Sequence, residues 1–307
     1  MKAFTKVALI VAGVTTAAGI ALFCIGSVLH HGKPFLMSIN NGLHFYEDYE
    51  IVEQEKTVID SFKNVSIDVS AAKIKFVEND TDEFAVAYRV ETPSGQVTCD
   101  VKDNTLTFRD TEKSSFMIST GFNFSFKDKD LYVTVYYPQG TEFGKIDLDT
   151  SAGGIIMEDE LNADKLIIDS SAGKATLKNI SAAVNINMSA GSLTCEDCNF
   201  GTCVLDMSAG VVTMTNCTVD GGSVDMSAGS FKAKGFILTK SLNLDMSAGD
   251  VEIEFVDGQK IGYDFDLSAG SAKINGEKRG SEYQDKNGCD VVLTVDASAG
   301  SIDIINH

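Results

Sequence analysis

Through the second half of the chain, apolar and polar residues alternate in short runs that are broken by one recurring small-residue phrase. In "VLDMSAGVVTM" (Val204–Met214) the residues one, three and five places before the serine, Met207, Leu205 and Cys203, are apolar; Met246, Leu244 and Leu242 repeat the arrangement. Period two predicts a strand with one face buried. After the glycine the apolar places lie four and six beyond the serine, Val212 and Met214 or Val251 and Ile253, which predicts a second strand in a different register. The Ala-Gly pair between them is therefore read as a corner.

The phrase Ser-Ala-Gly ends at Gly153, Gly173, Gly191, Gly210, Gly229, Gly249, Gly270 and Gly300, at intervals of 18 to 21 residues and a last interval of 30. A unit this short cannot bury its apolar side alone, but units stacked about 4.8 Å apart close a continuous core. The predicted fold is all-β, a right-handed parallel β-helix-like solenoid of about eight Ser-Ala-Gly coils. The eight glycines are its structural corners, placed where backbones approach closely. "SIDVSAAKIKF" (Ser66–Phe76) is a degenerate copy well upstream of the array.

The amino-terminal stretch is of different material. Val7–Leu29 carries no charge and is long enough for a helix to cross a bilayer. With Lys2 and Lys6 ahead of it, the expectation is a retained anchor with a cytoplasmic tip at 1–6 and everything after the helix outside. A cleaved signal peptide is the competing reading. Residues 30–56, polar and acidic, are read as a stalk, and 57–145 as irregular β coils with an amino-terminal cap. Residues 146–307 are read as the repeat solenoid. Because the chain stops just after its last coil, a bare sheet edge is expected there, open to end-to-end self-association.

Charge narrows the partners. Against 25 Lys+Arg stand 44 Asp+Glu, a net charge of -19, which repels nucleic acid and anionic surfaces at long range. The histidines, His30, His31, His44 and His307, all lie outside the repeats, which excludes histidine catalysis within them. Two places before each repeat serine stands Asp149, Asp169, Asn187, Asp206, Asp225, Asp245, Asp266 or Asp296, on the face opposite the core. Such a column suits calcium when enough oxygens converge; the other reading is carboxylates that serve corner amides and solubility. Cys198 and Cys217 share a column with Ile180, Phe236 and Val256, so they are buried thiols or a bridge between adjacent coils. Met188, Met207, Met226 and Met246 read as core filler.

The longest interval holds the insertion "NGEKRGSEYQDKNG" (Asn275–Gly288), whose Lys278, Arg279, Tyr283 and Lys286 form a basic patch on an acidic chain. It is either a partner-binding loop or a plain hairpin extension.

The "DMSAG" repeats, "VTVYYPQGTEFGKIDLDTSAGG" (Val133–Gly154), "FKNVSIDVSAAKIKFVEND" (Phe62–Asp80) and the amino-terminal helix together resemble the putative-adhesin, toastrack-like family of Gram-positive bacteria, which includes proteins of Lia-type envelope-stress operons. The resemblance covers nearly the whole chain. It implies a membrane-tethered β-solenoid with no assigned catalytic residues, no cofactor, and a role in adhesion or envelope sensing. The partner expected is an envelope protein or cell-wall glycan. A carbohydrate-active β-helix enzyme and a calcium-stabilised rod are the alternatives.

Overall fold

A computed structural model describes residues 35–39, 43–46, 50–92, 96–110, 117–120, 130–286 and 288–307. The apolar run 7–29, with Cys24, lies outside the described residues. Among those described, no helix is long and apolar enough to cross a membrane. The chain divides into two units. In the smaller, Phe35–Ile39 pairs antiparallel with Leu43–Tyr46 on one side and Met117–Thr120 on the other. The stretch read as a stalk thus carries strands, Phe35–Ile39 and Leu43–Tyr46, and the start of Glu50–Ile59 as well.

The larger unit is a parallel stack. Glu142–Met157 pairs with Leu161–Lys178, with Leu148 beside Ile168, Asp149 beside Asp169 and Gly153 beside Gly173. Ile180–Glu196 and Asn199–Thr215 continue in the same register, Asp206 and Gly210 standing beside Asn187 and Gly191. Thr218–Phe255 carries the next two phrases. The strand pattern is bent at every Ser-Ala-Gly. Residues on the expected inward places are buried on both sides of the bend: Cys203, Leu205, Met207, then Val212 and Met214. The four methionines lie in the core, and the degenerate copy is a coil as well. Its Asn64–Val69 and Lys73–Asn79 flank Glu142–Met157 with Ile67 beside Leu148 and Ile74 beside Ile155, and Ala152 N–H donates to Ser70 O at 2.8 Å.

The corner glycine is demanded by the stack. From Gly191 to Gly300 these residues have φ between +137° and +151°. A Cβ on Gly210 would lie 2.0 Å from the carbonyl oxygen of Gly191, and on Gly229 1.9 Å from that of Gly210. No side chain fits a column in which each backbone rests on the one before.

A second corner repeats eight residues after the serine. Asn179, Asp197 and Asn216 adopt left-handed φ of 53° to 54°, and Gly235 takes the same place at 60°. Asparagine, aspartate and glycine tolerate that region best. The corners are also laced together: Asn216 Nδ2 donates to Asp197 Oδ1 at 3.1 Å, and Asn216 N–H to Lys234 O at 2.8 Å.

The order of the last coils differs from chain order. Val292–Ile305 pairs on one side with the Gly249 coil, Asp296 beside Asp245 and Gly300 beside Gly249. On its other side it pairs with Gly262–Ile274, Asp296 beside Asp266 and Gly300 beside Gly270. The spatial order is Gly249, Gly300, Gly270. The insertion explains it. Glu277–Arg279 and Glu282–Asp285 fold back antiparallel onto Ala272–Ile274 and Tyr263–Asp266, taking the outer edge of the Gly270 coil and leaving Val292–Ile305 only the inner one. The bare edge expected at the last coil is therefore not there: that coil is paired on both sides, and the hairpin covers the coil beyond it.

At the opposite end the corner amide of Ser70 donates to both carboxylate oxygens of Asp110, at 2.9 and 3.1 Å, and Ser70 Oγ donates to Oδ1 at 3.2 Å. Asp110 follows Thr105–Arg109, which pairs parallel with Asn64–Val69. Burial pushes this carboxyl up to about 6, against the pull of the Ser70 hydrogen bonds. With the folded value above the unfolded one, the folded state holds more protons between the two, so stability rises as pH falls through 6. The shift corresponds to an effect on the order of 3 kcal/mol at most. Burial, then neighbouring carboxylates, raises Asp149 and Asp225 too, with the same sign. We expect urea midpoints to be higher at about pH 5.5 than at about pH 7.5, and Asp110→Asn to shrink that difference. An unchanged difference in the variant would remove Asp110 from the explanation.

Candidate functional site

The insertion is held tightly by its own coil. Arg279 Nη1 meets Glu277 Oε2 at 2.9 Å, and its guanidinium lies 5.4 Å from the centroid of the Tyr283 ring. The Tyr283 hydroxyl donates to Asp285 Oδ2 at 3.2 Å, and its ring stands 6.0 Å from that of buried Phe265. Lys286 Nζ pairs with Asp264 Oδ2 at 3.1 Å, where Gln284 Nε2 also donates at 3.0 Å. The hydrogen bond from Gln284 and that from Lys286 hold the Asp264 carboxyl below its ordinary range. Of the four residues singled out in the sequence, Arg279 and Lys286 thus serve as counter-charges to their own hairpin and coil, and Tyr283 packs on the core. Lys278 is exposed and stands opposite Lys273.

The aspartate column is continuous across the coils: Asp68, Asp149, Asp169, Asn187, Asp206 and Asp225 stand side by side, as do Asp245, Asp296 and Asp266. One carboxylate per coil gives a line of charge and no convergent cage, and among the described residues no group of three or more His, Cys, Asp or Glu could hold a metal ion. A hard cation needs six or more oxygens around one point. We therefore expect the melting temperature to move by less than about 1 °C between excess calcium and chelator. A saturable rise with calcium would show that the column does bind it.

The thiols are core residues. Cys195, Cys198, Cys203 and Cys217 are buried and free, and Cys99 and Cys289 are half-buried and free. Cys198 Sγ donates to Leu177 O at 3.4 Å and Cys217 Sγ to Thr215 O at 3.3 Å. Contact with Cys217, then burial, pushes the Cys198 thiol up, and burial pushes Cys203 up to about 12. The Cys198 and Cys203 thiols thus stay protonated, whereas the hydrogen bond with Cys198 draws the Cys217 thiol down. Val256, placed in their column by counting, is 42% exposed, while Phe255 is buried in its stead.

Two of the surface hollows among the described residues gather charged side chains from several coils or turns. One, of about 400 Å³, crosses several coils and is bordered by Thr213, Thr215, Lys232, Lys234, Glu252 and Glu254. Its cations are matched across coils, Lys232 with Glu252 at 3.1 Å and Lys234 with Glu254 at 3.5 Å. The other, of about 560 Å³, is acidic, with Glu78, Asp80, Asp82 and Asp159. Sequence reasoning missed both, because each is assembled by stacking residues far apart in the chain.

No curated protein matches the chain. Among solved structures it is similar to a putative adhesin from Parabacteroides distasonis, at 10% identity over 84% of this chain and 97% of that one, with a TM-score of 0.45. It is also similar to a putative adhesin from Bacteroides fragilis, at 11% identity over 83% and 97% with a TM-score of 0.37. A putative lipid binding protein from Parabacteroides distasonis matches at 15% identity over 84% and 96%, with a TM-score of 0.33. The family pattern named Toastrack, DUF4097, matches residues 62–305, and the chain belongs to that family.

Proposed function

We propose that this chain is a membrane-anchored, extracytoplasmic binding module of the cell envelope, non-catalytic, acting in adhesion or in sensing envelope stress. The observation that carries this reading is the in-register stack. Every outward place recurs coil after coil about 4.8 Å apart, so the surface is a set of long parallel columns suited to an extended ligand or a partner's flat face. The reading includes right-handed winding of the coils. Anchoring through a helix at 7–29, with the stack outside, rests on the uncharged run Val7–Leu29 and the lysines ahead of it. The ligand is an envelope protein or wall glycan, and Lys278, which makes no ion pair among the described residues, is the hairpin residue best placed to meet it.

The test uses the full chain in its native membrane. External protease should remove the stack from intact cells while a tag ahead of the helix stays protected. Crosslinking should then join the stack to wall glycan or a membrane protein, less so in Lys278→Glu. Recovery of the full-length chain in the soluble fraction, or a stack shielded from external protease, would overturn the anchored reading. Release of reducing sugar ends from wall glycan by the purified chain would overturn the non-catalytic one.

A further inference from the structure

The displaced last coil leads to an assembly that chain order does not suggest. From Phe255 the chain passes the place next to the Gly249 coil and builds the Gly270 coil one place further out, and only Val292–Ile305 fills the gap. The two walls of that gap are strand edges facing one another. Its occupant is sterically specified: a Cβ at position 300 would lie 1.8 Å from the Gly249 carbonyl oxygen, and one at Gly270 1.9 Å from that of Gly300. Leu293, Val295, Ala297, Ile302 and Ile304 of the occupant are buried. Its ends are also clasped. Val292 N–H donates to Ser241 Oγ at 3.1 Å, Gly258 N–H to His307 O at 2.8 Å, and Asn306 and Asn275 exchange hydrogen bonds of 2.7 and 2.8 Å.

None of these contacts depends on which copy of the chain supplies the strand. We propose that the gap between the Gly249 and Gly270 coils is an interface for a second copy of this chain, whose Val292–Ile305 enters it while the first copy's strand enters the second, forming a closed two-fold dimer. The strand that fits is one with glycine at the corner and apolar residues at alternate places, and the chain's own last coil is that sequence. Only the connection between hairpin and coil changes. Asp285 and Leu293 flank Tyr263 on opposite sides, so that connection crosses about 10 Å around the end of one strand. A short tether of this kind keeps its own strand at an effective concentration near the millimolar range, so the monomer prevails in dilute solution. When the tether cannot reach, only exchange completes the fold.

The test is refolding of the full chain with Asp250→Cys and Ser301→Cys, neighbours in the ladder, followed by light scattering and a non-reducing gel. Raising the refolding concentration from about 1 to about 200 µM should increase the dimer fraction at least about fivefold, with the crosslink between chains. Deleting residues 286–291 leaves two peptide links, at most about 7 Å, between Asp285 and Leu293, too short for the crossing of about 10 Å, and should make the dimer predominant at either concentration. Inserting a flexible segment at the same point should restore the monomer. A tether-shortened chain that remains monomeric, or a dimer that lacks the interchain crosslink, overturns the proposal.

Discussion

Gly210→Ala is expected to cost the stack about 3–5 kcal/mol and to leave little folded protein at physiological temperature. The new Cβ would sit 2.0 Å from the Gly191 carbonyl oxygen, with the Met207 sulfur 3.1 Å away on another side. Relief requires the coils to part at their closest approach, which lengthens the backbone hydrogen bonds on both sides of the corner. The positive φ of 146° adds strain of its own. A matched control separates the two contributions. Gly140 also has positive φ, 72°, but nothing lies within 4 Å of its added Cβ. Gly140→Ala should therefore cost only about 1 kcal/mol. Equal losses in urea titrations of the two variants would mean that φ, and not the stacked carbonyl, makes glycine necessary.

Phe231→Ala should lose about 3–5 kcal/mol with the backbone path intact. Phe231 is fully buried on the second strand of its coil, beside Val212 of the preceding coil. Its ring fills the section between sheets that are fixed by hydrogen bonds above and below, so the walls cannot collapse to close the void. The same inward place holds Ala175 three coils earlier in the Gly173 coil, which shows that the backbone accepts alanine there when facing side chains are sized for it. The loss should thus appear as a lower urea midpoint with an unchanged far-ultraviolet spectrum. A loss below about 1 kcal/mol would imply that the core re-packs freely around this column.

The sequence made the coil itself readable because burial alternates strictly along each strand and the corner tolerates only small residues. Counting from the serine placed Met207, Leu205, Val212 and Met214 inside and the aspartates outside, and all of these positions agree with the structure. The order of coils was another matter. Every coil carries the same register, so any coil can stack on any other, and the periodic pattern holds no information about neighbours. What decides the order is the hairpin at Glu277–Asp285, which occupies the edge that a processive stack would use. Val256 left its column because the Gly249 coil has no left-handed residue at the second corner: Val256 N–H donates to Phe236 O at 3.1 Å as Ile237 N–H does to Cys217 O at 2.9 Å, so Phe255 falls into the Phe236 column. The second corner was legible in principle, as "KNI", "EDC", "TNC" and "KGF" set Asn, Asp or Gly at one offset, a left-handed signal that hydrophobic counting passes over. The contact of Asp110 with Ser70 spans 40 residues, and no local pattern announces it. For the candidate site, the basic character of the insertion was plain in the sequence. Its neutralisation by Asp264 and Glu277 depended on how the hairpin folds back.

The spatial order Gly249, Gly300, Gly270 is the claim on which the capping of the stack and the exchangeable strand both depend. Asp250, Ser301 and Ser271 occupy one column, each just after its corner glycine. Cysteine pairs at these places, oxidised in dilute solution, measure the order directly. The account predicts rapid intramolecular crosslinks for 250 with 301 and for 301 with 271, and none for 250 with 271. A ready crosslink between 250 and 271, with none between 250 and 301, would contradict it and restore a stack that follows the chain.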